Sequence, residues 1–254
     1  MARRDTRRAG AEAKSSATDL VLDADRAAED AIVAKLRAEF PDDEIVSEEG
    51  GGSSGTSSRR WYVDPIDGTI NFFYGIPHYA IALALEDAGG VLAAIVLDPS
   101  RGEMFVGARG AGAWLVTDDH TAPWSDEPTG SRLAVTAADD LGAALVATGF
   151  AYLAEARAEQ ARILGGVLPH VRDIRRFGSA QLDLAWTAGG RLDGYFESVD
   201  KPWDWKAGAL LVQEAGGRVT QLAQARPGQP HIVASAPRIH EPLVTLLRRA
   251  VQSP

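Results

Sequence analysis

A chain of 254 residues with 45% hydrophobic and 24% charged side chains can form one large α/β unit or two modest domains around a shared core, and its balance excludes a disordered or fibrous protein. Its 35 acidic against 26 basic residues, a formal charge of −9, argue against a nucleic-acid scaffold, so no direct nucleic-acid binding is expected. Cysteine is absent, which removes disulfides, thiolate nucleophiles, cysteine-based zinc sites and iron–sulfur clusters together.

Arg3-Arg4 and Arg7-Arg8 are followed by Ala9-Gly10-Ala11-Glu12, with no apolar core of export-signal length. The longest apolar strings, residues 80–85 and 91–97, are far shorter than the roughly 20 residues of a spanning helix. A cytoplasmic protein that does not enter a membrane is expected.

The first helix is predicted over residues 23–40, with Ala28, Ile32, Leu36 and Phe40 on one face until Pro41 stops it. Strands are predicted at 44–47, 61–63 and 78–86. In the last, Tyr79, Ile81, Leu83 and Leu85 alternate with Ala80, Ala82 and Ala84, giving one bulky face and one that a helix can approach closely. Segments 91–97 and 103–107, joined by Asp98-Pro99-Ser100-Arg101-Gly102, continue an antiparallel meander, so this half reads as α+β. The polar stretch 117–131 is the expected boundary between an N-terminal half, residues 1–130, and a C-terminal half, residues 131–254. Beyond it the pattern is βαβα. Strands are predicted at 133–136, 145–148, 174–177 and 192–197, and helices at 154–171, from the Ser179 cap to Thr187, at 203–215 and at 239–251.

Chemistry concentrates first in Asp64-Pro65-Ile66-Asp67-Gly68-Thr69-Ile70-Asn71-Phe72, after the apolar strand Trp61-Tyr62-Val63. Two carboxylates three residues apart at a strand end can face one side of a rigid turn, and hard cations such as Mg²⁺ take such oxygen ligands. The same residues also make ordinary polar turns. Glu48-Glu49 stands at the entrance to the Gly-Ser stretch 50–58, where an acidic pair is commonly solvated. That stretch buries little and is expected to depend on ligand contacts for its order. It is no phosphate-binding loop, because Thr56 stands where the lysine is required. In Trp203-Asp204-Trp205-Lys206-Ala207-Gly208, Asp204 either caps a helix or is a buried carboxylate in need of a cation. Lys206 reads as a solvated helix residue, and the five scattered histidines read as surface or packing residues.

In this order and separation, the segments resemble the inositol monophosphatase family of magnesium-dependent, lithium-sensitive phosphatases. Trp61 through Phe72 match its first motif, Ser47-Glu48-Glu49 its upstream acidic element, and Trp203 through Gly208 its second motif. Lys14-Ser15-Ser16, residues 19–25, Gly178-Ser179-Ala180 and Asp193-Gly194-Tyr195-Phe196-Glu197 add to the likeness. Relatives carry a longer amphipathic helix ahead of the Lys14 position, where this sequence has a short Arg-rich segment.

The resemblance implies a layered αβαβα sandwich with two or three Mg²⁺ ions per site. Glu48, Asp64 and the Ile66 carbonyl would hold one ion, Asp64, Asp67 and Asp204 a second, and a third, weaker one would lie near Glu48. Asp25, Thr69 and Glu48 would be catalytic, Thr69 passing a proton from the attacking water toward Asp25. Substrate contacts are implied at Asp67, Gly68, Thr69, Gly178, Ser179, Ala180, Glu197 and Asp204, with inositol 1-phosphate the favoured phosphate ester. Histidinol phosphate and fructose 1,6-bisphosphate are the alternatives within the superfamily. A regulatory binding protein that retains the phosphatase residues is the reading from another class. The family is commonly dimeric, so a homodimer is expected.

Overall fold

The computed structural model describes residues 12–13, 20–117 and 130–253; Lys14-Ser15-Ser16, Asp19, His120 and the rest of 118–129 lie outside the described residues. After a two-residue antiparallel pair, β1 (Glu12–Ala13) and β2 (Leu20–Val21), helix α1 (Asp23–Glu39) forms as predicted. Its buried face differs from the apolar stripe: Asp25 and Glu29 are buried with Val33 and Leu36. A pattern read from apolar residues alone misses a helix face that also carries carboxylates inward.

A seven-stranded sheet follows. It runs β3 (Glu44–Ser47), β4 (Arg60–Asp67), β5 (Ala80–Asp87), β6 (Gly90–Asp98), β7 (Glu103–Ala108), β8 (Gly112–Val116) and β9 (Ser131–Arg132) in spatial order, antiparallel except for β3 beside β4. A short helix α2 (Thr69–Tyr74) lies between β4 and β5. Helix α1 covers one face of this sheet through Val33, Leu36, Ile45 and Val63. The other face, where Ala80, Ala82 and Ala84 are buried, admits two helices, as the small side chains predicted.

The second sheet orders as β11 (Asp173–Arg175), β10 (Leu145–Thr148), β12 (Gly194–Glu197), β14 (Ile232–Ser235) and β13 (Arg218–Gln221), parallel up to β12 and antiparallel beyond. Alternate residues separate its two faces. Ala147, Tyr195 and Ala234 face helices α4 (Ala180–Ala188) and α5 (Pro202–Glu214), while Val146, Phe196 and Val233 face α3 (Ala154–Val167) and α6 (Pro237–Gln252). The layers are therefore α1, the large sheet, α4 with α5, the small sheet, and α3 with α6: an αβαβα sandwich.

Residues 133–136 are not a strand. The amides of Leu133 and Val135 donate to carbonyls of two different elements, Ala113 at 2.8 Å and Ala215 at 3.1 Å, so the segment bridges layers instead of joining a ladder. Among the described residues, no helix is long and apolar enough to cross a membrane.

Candidate active site

Strand β4 runs past the expected 61–63 to Asp67, and its register against β5 shifts between Asp64 and Asp67. Pro65 occupies that bulge, where its missing N–H costs no ladder bond. Asp64 is 2% exposed, and its Oδ1 has no hydrogen-bond partner among the described residues. Burial above all, then the charges of Glu48, Asp67 and Asp204 and a hydrogen bond with Glu48, push its carboxyl well above the ordinary range.

Asp67 is held from the distant half of the chain. Ser179 Oγ donates to it at 2.6 Å, the Gln181 amide at 2.7 Å and the Ala180 amide at 3.3 Å. Burial still raises it to about 6 against these donors. The next residue, Gly68, has φ of 93°, and a Cβ there would lie 3.0 Å from the Gly178 carbonyl and 3.2 Å from that of His78. Conformation and space both require glycine.

Thr69 Oγ1 lies 3.2 Å from Asp25 Oδ1 and 3.0 Å from the Ile66 carbonyl, two acceptors for its one proton. Asp25 is fully buried at the start of α1, where its Oδ2 accepts the Leu22 amide at 3.0 Å. Asn71 Nδ2 donates to the carbonyls of His78 and Phe177, both at 2.8 Å, and so ties the β4 turn to the segment leading into Gly178.

Glu48 follows β3, its amide donating to the Val63 carbonyl at 3.2 Å. Glu29 of α1, 3% exposed, accepts the amides of Glu49 at 2.8 Å and Gly51 at 2.6 Å. Ser53 exchanges two backbone hydrogen bonds with Ile45, and the Thr56 and Ser57 amides donate to the Asp42 carbonyl. Segment 50–58 is thus tied by its own backbone, which corrects the expectation that ligand contacts alone could order it. Replacing Glu29 with alanine should speed hydrogen exchange at the Glu49 and Gly51 amides by roughly tenfold, about the worth of one hydrogen bond to a charged group. Unchanged exchange at both would refute the tether.

Asp204 is not a cap: Lys201 holds that position on α5 and makes no side-chain bond there. Asp204 instead sits in the first turn, raised well above the usual carboxylate range by burial first and then by Glu48, Asp67, Glu197 and Asp200. Gln181, fully buried on α4, aligns this turn. Its Nε2 donates to the Trp203 carbonyl at 2.5 Å and its Oε1 accepts the Gly208 amide at 2.8 Å. A side chain at Gly208 would overlap Leu184, so glycine lets the two helices close on each other.

These elements meet at a cleft of about 450 Å³ whose lining includes Glu48, Asp64, Ile66, Asp67, Gly68, Thr69, Gly178, Ala180, Glu197 and Asp204. Ser179, 1% exposed, stands behind its wall, its hydroxyl occupied by Asp67 and the Leu182 amide. Glu197 accepts the Tyr195 hydroxyl at 2.9 Å; burial, with Asp67, raises it to about 7 despite that bond and the Arg176 charge. Arg176, Tyr152 and Leu153 form a less acidic rim. None of the described histidines lines the cleft. His78 packs against Phe177 and Trp186, 3.9 Å from another buried carboxylate, Asp183, which burial also raises.

Of the expected site residues, all but Ser179 and Asp25 line the cleft; Asp25 reaches it through Thr69. Glu29, Asn71 and Gln181 were not anticipated. Asn71 stands inside the first motif and Gln181 two residues after the Ser179 cap, but spacing gives neither a partner, and nothing local marks Glu29. Among the described residues, no three Asp, Glu or His side chains are already gathered to hold a metal ion. Like charges favour separation until a cation balances them. The donor set nevertheless suits a hard cation: carboxylates, a carbonyl, and one buried carboxylate oxygen with nothing to accept.

Two sheets interleaved with three helical layers, and an acidic cleft at the starts of α4 and α5, define the class of layered αβαβα phosphatase folds. The chain belongs to the inositol monophosphatase family, whose profile residues 1–252 match. It is 42% identical over 244 residues to the inositol-1-monophosphatase of Mycobacterium bovis, covering 93% of this chain and 81% of that protein. It is 38% identical over 239 residues to the Nus factor SuhB of Escherichia coli K12, covering 92% and 85%. An IMPase structure from Thermotoga maritima aligns with a TM-score of 0.81 at 31% identity, over 97% of this chain and 90% of that one.

Proposed function

We propose that the chain is a Mg²⁺-dependent phosphate monoester hydrolase acting on inositol 1-phosphate. The observation that carries this reading is Asp64: a buried carboxylate with an unpartnered oxygen, crowded by Glu48, Asp67 and Asp204 at the floor of a cleft. Glu48, Asp64 and the Ile66 carbonyl would hold one ion and Asp64, Asp67 and Asp204 a second, with a third, weaker ion near Glu48. Mg²⁺ supplies the positive charge that this carboxylate set and a phosphate dianion both need.

The chain's own residues do the remaining work. Thr69 Oγ1 takes up a proton from the attacking water and hands its own to Asp25 Oδ1, which the Leu22 amide holds in place. Ser179 acts on substrate only through Asp67, which it keeps aimed into the cleft. Glu197, with the Gly178 and Ala180 backbone, faces the part of the cleft where ring hydroxyls of the leaving alcohol would lie.

A phosphate-release screen over inositol 1-phosphate, fructose 1,6-bisphosphate and histidinol phosphate, with and without Mg²⁺, tests the reading. Inositol 1-phosphate should give the highest kcat/KM, and only with Mg²⁺. Glu197→Gln should raise KM by roughly fivefold with little change in kcat, the mark of binding lost equally in ground and transition states. Metal-independent turnover would overturn the mechanism, and a clear preference for histidinol phosphate the substrate. The relative named as a Nus factor favours a second role in binding a regulatory protein. A partner in that role should still be captured by Asp64→Asn.

A further inference from the structure

Lys206 is the residue of the second motif that this mechanism leaves unused. It is not solvated, as its sequence position suggested: its side chain is 14% exposed, and Nζ donates to Glu86 Oε1 on β5 at 2.5 Å and to the Tyr62 hydroxyl on β4 at 3.2 Å. Nζ also lies 4.3 Å from the centre of the Tyr62 ring, and the Tyr62 hydroxyl donates to Glu86 Oε2 at 2.7 Å. The three groups close a small polar triangle between α5 and the large sheet. Lys206 itself does not line the cleft.

The two ends of this triangle sit beside the two motifs. Asp64 lies two residues beyond Tyr62 on the same face of β4, and Asp204 lies two residues before Lys206 on α5. Strand and helix are rigid over that distance, so the Lys206 contacts, on the sheet side of α5, bear directly on how far apart the two carboxylates stand, while Gln181 ties the same turn from α4. Ala84 and Ala82 stand opposite Tyr62 and Asp64 in the ladder, small side chains that let α5 come close to the sheet. A partly buried ion pair is little screened and can hold the helix to the sheet.

We propose that Lys206 is a positioning residue: anchored on Glu86 and Tyr62, it holds the first turn of α5 in register with β4 and so sets the affinity of the ion shared by Asp64 and Asp204. This rests on the metal assignment proposed above. Mn²⁺ titration of the full metal-free chain, followed by the electron paramagnetic resonance signal of free Mn²⁺, reads it directly. Compared with wild type are Lys206→Met, the charge-balanced pair Lys206→Met with Glu86→Gln, Asp204→Asn, and Leu247→Ala, which cuts a distant core under α6. Asp204→Asn should abolish one ion. Both Lys206 variants should weaken that same ion by roughly tenfold, as outer-shell substitutions do, and leave the tighter one alone. Leu247→Ala should lower Tm without moving either affinity.

Lys206 variants within twofold of wild type, or an equal shift in Leu247→Ala, would overturn the positioning role while the metal assignment stood. If Asp204→Asn bound Mn²⁺ as wild type does, or wild type bound no second ion, the assignment itself would fall and the Lys206 role with it.

Discussion

Asp64→Asn should lower kcat/KM by roughly 100- to 1,000-fold at saturating Mg²⁺ and yet raise the Tm of the metal-free chain by about 3 °C. Both effects have one source. Asparagine keeps the shape of the side chain but removes a carboxyl that is 2% exposed, ionises only against three like-charged neighbours and lacks a partner at Oδ1. Without metal, folding must either protonate that carboxyl or bury its charge, and the neutral amide avoids both costs. With metal it is the one carboxylate assigned to two ions, and no other side chain at the floor of the cleft can replace it. Steady-state kinetics beside thermal melts in a chelator check the pair. Near-normal turnover would remove Asp64 from its bridging place, and a lower Tm would show that the carboxylate is compensated by the chain itself.

Between about pH 4 and pH 7 the metal-free chain should lose stability as pH rises, by an amount on the order of 2 kcal/mol, and Mg²⁺ should restore most at the upper end. Asp67, raised by burial to about 6, and Glu197, raised to about 7, keep protons in the folded state over a range where the unfolded chain has released them. The native state then binds more protons, so raising the pH favours unfolding until both groups have ionised. Asp64, Asp183 and Asp204 are displaced in the same direction. Burial lowers His78 to about 4 and also lowers His240, which works the other way as their unfolded forms take up protons below about pH 6.5. Five carboxyls outweigh two imidazoles. Carboxylates held low by partners, such as Glu86 beside Lys206 and Tyr62, matter only below about pH 4.5. Mg²⁺ replaces the retained protons, so its stabilising effect grows as they become easier to release. Melts from about pH 4.5 to 7.5 with chelator or Mg²⁺ test this; a flat profile without metal, or an Mg²⁺ effect equal at both ends, would contradict it.

The parts legible in the sequence are those whose signals are local. Helices α1, α3, α5 and α6 follow from apolar spacing and punctuation by Pro and Gly, and the alanine face of β5 correctly announced a helix packed against it. Asp64, Asp67, Gly68 and Thr69 stand together in the chain, so one short motif exposed them. Strands β13 and β14 went unread because β13 holds a single apolar side chain, Val219, and β14 is separated from α6 by one residue. Residues 133–136 alternate like a strand, since Leu133 is buried in the central layer, yet their backbone finds no ladder to join. Glu29, Gln181 and Lys206 were missed or misread for another reason: each takes its meaning from a partner 20 or more residues away, which spacing cannot reveal.

The grip on Asp67 has a consequence for how such a protein could be divided or assembled. Its three donors come from residues 179–181, more than a hundred positions along the chain, and Asn71 adds a fourth link to Phe177. A fragment ending near residue 130 would contain Glu48, Asp64, Asp67 and Thr69 and still lack every donor that orients Asp67. Two separately made fragments would therefore be inert apart and would recover a working site only by re-docking with the N-terminus of α4 against the β4 turn, which makes split-chain complementation a direct reporter of that contact. The same interdependence means that neither fragment alone carries the full set of contacts around Asp67.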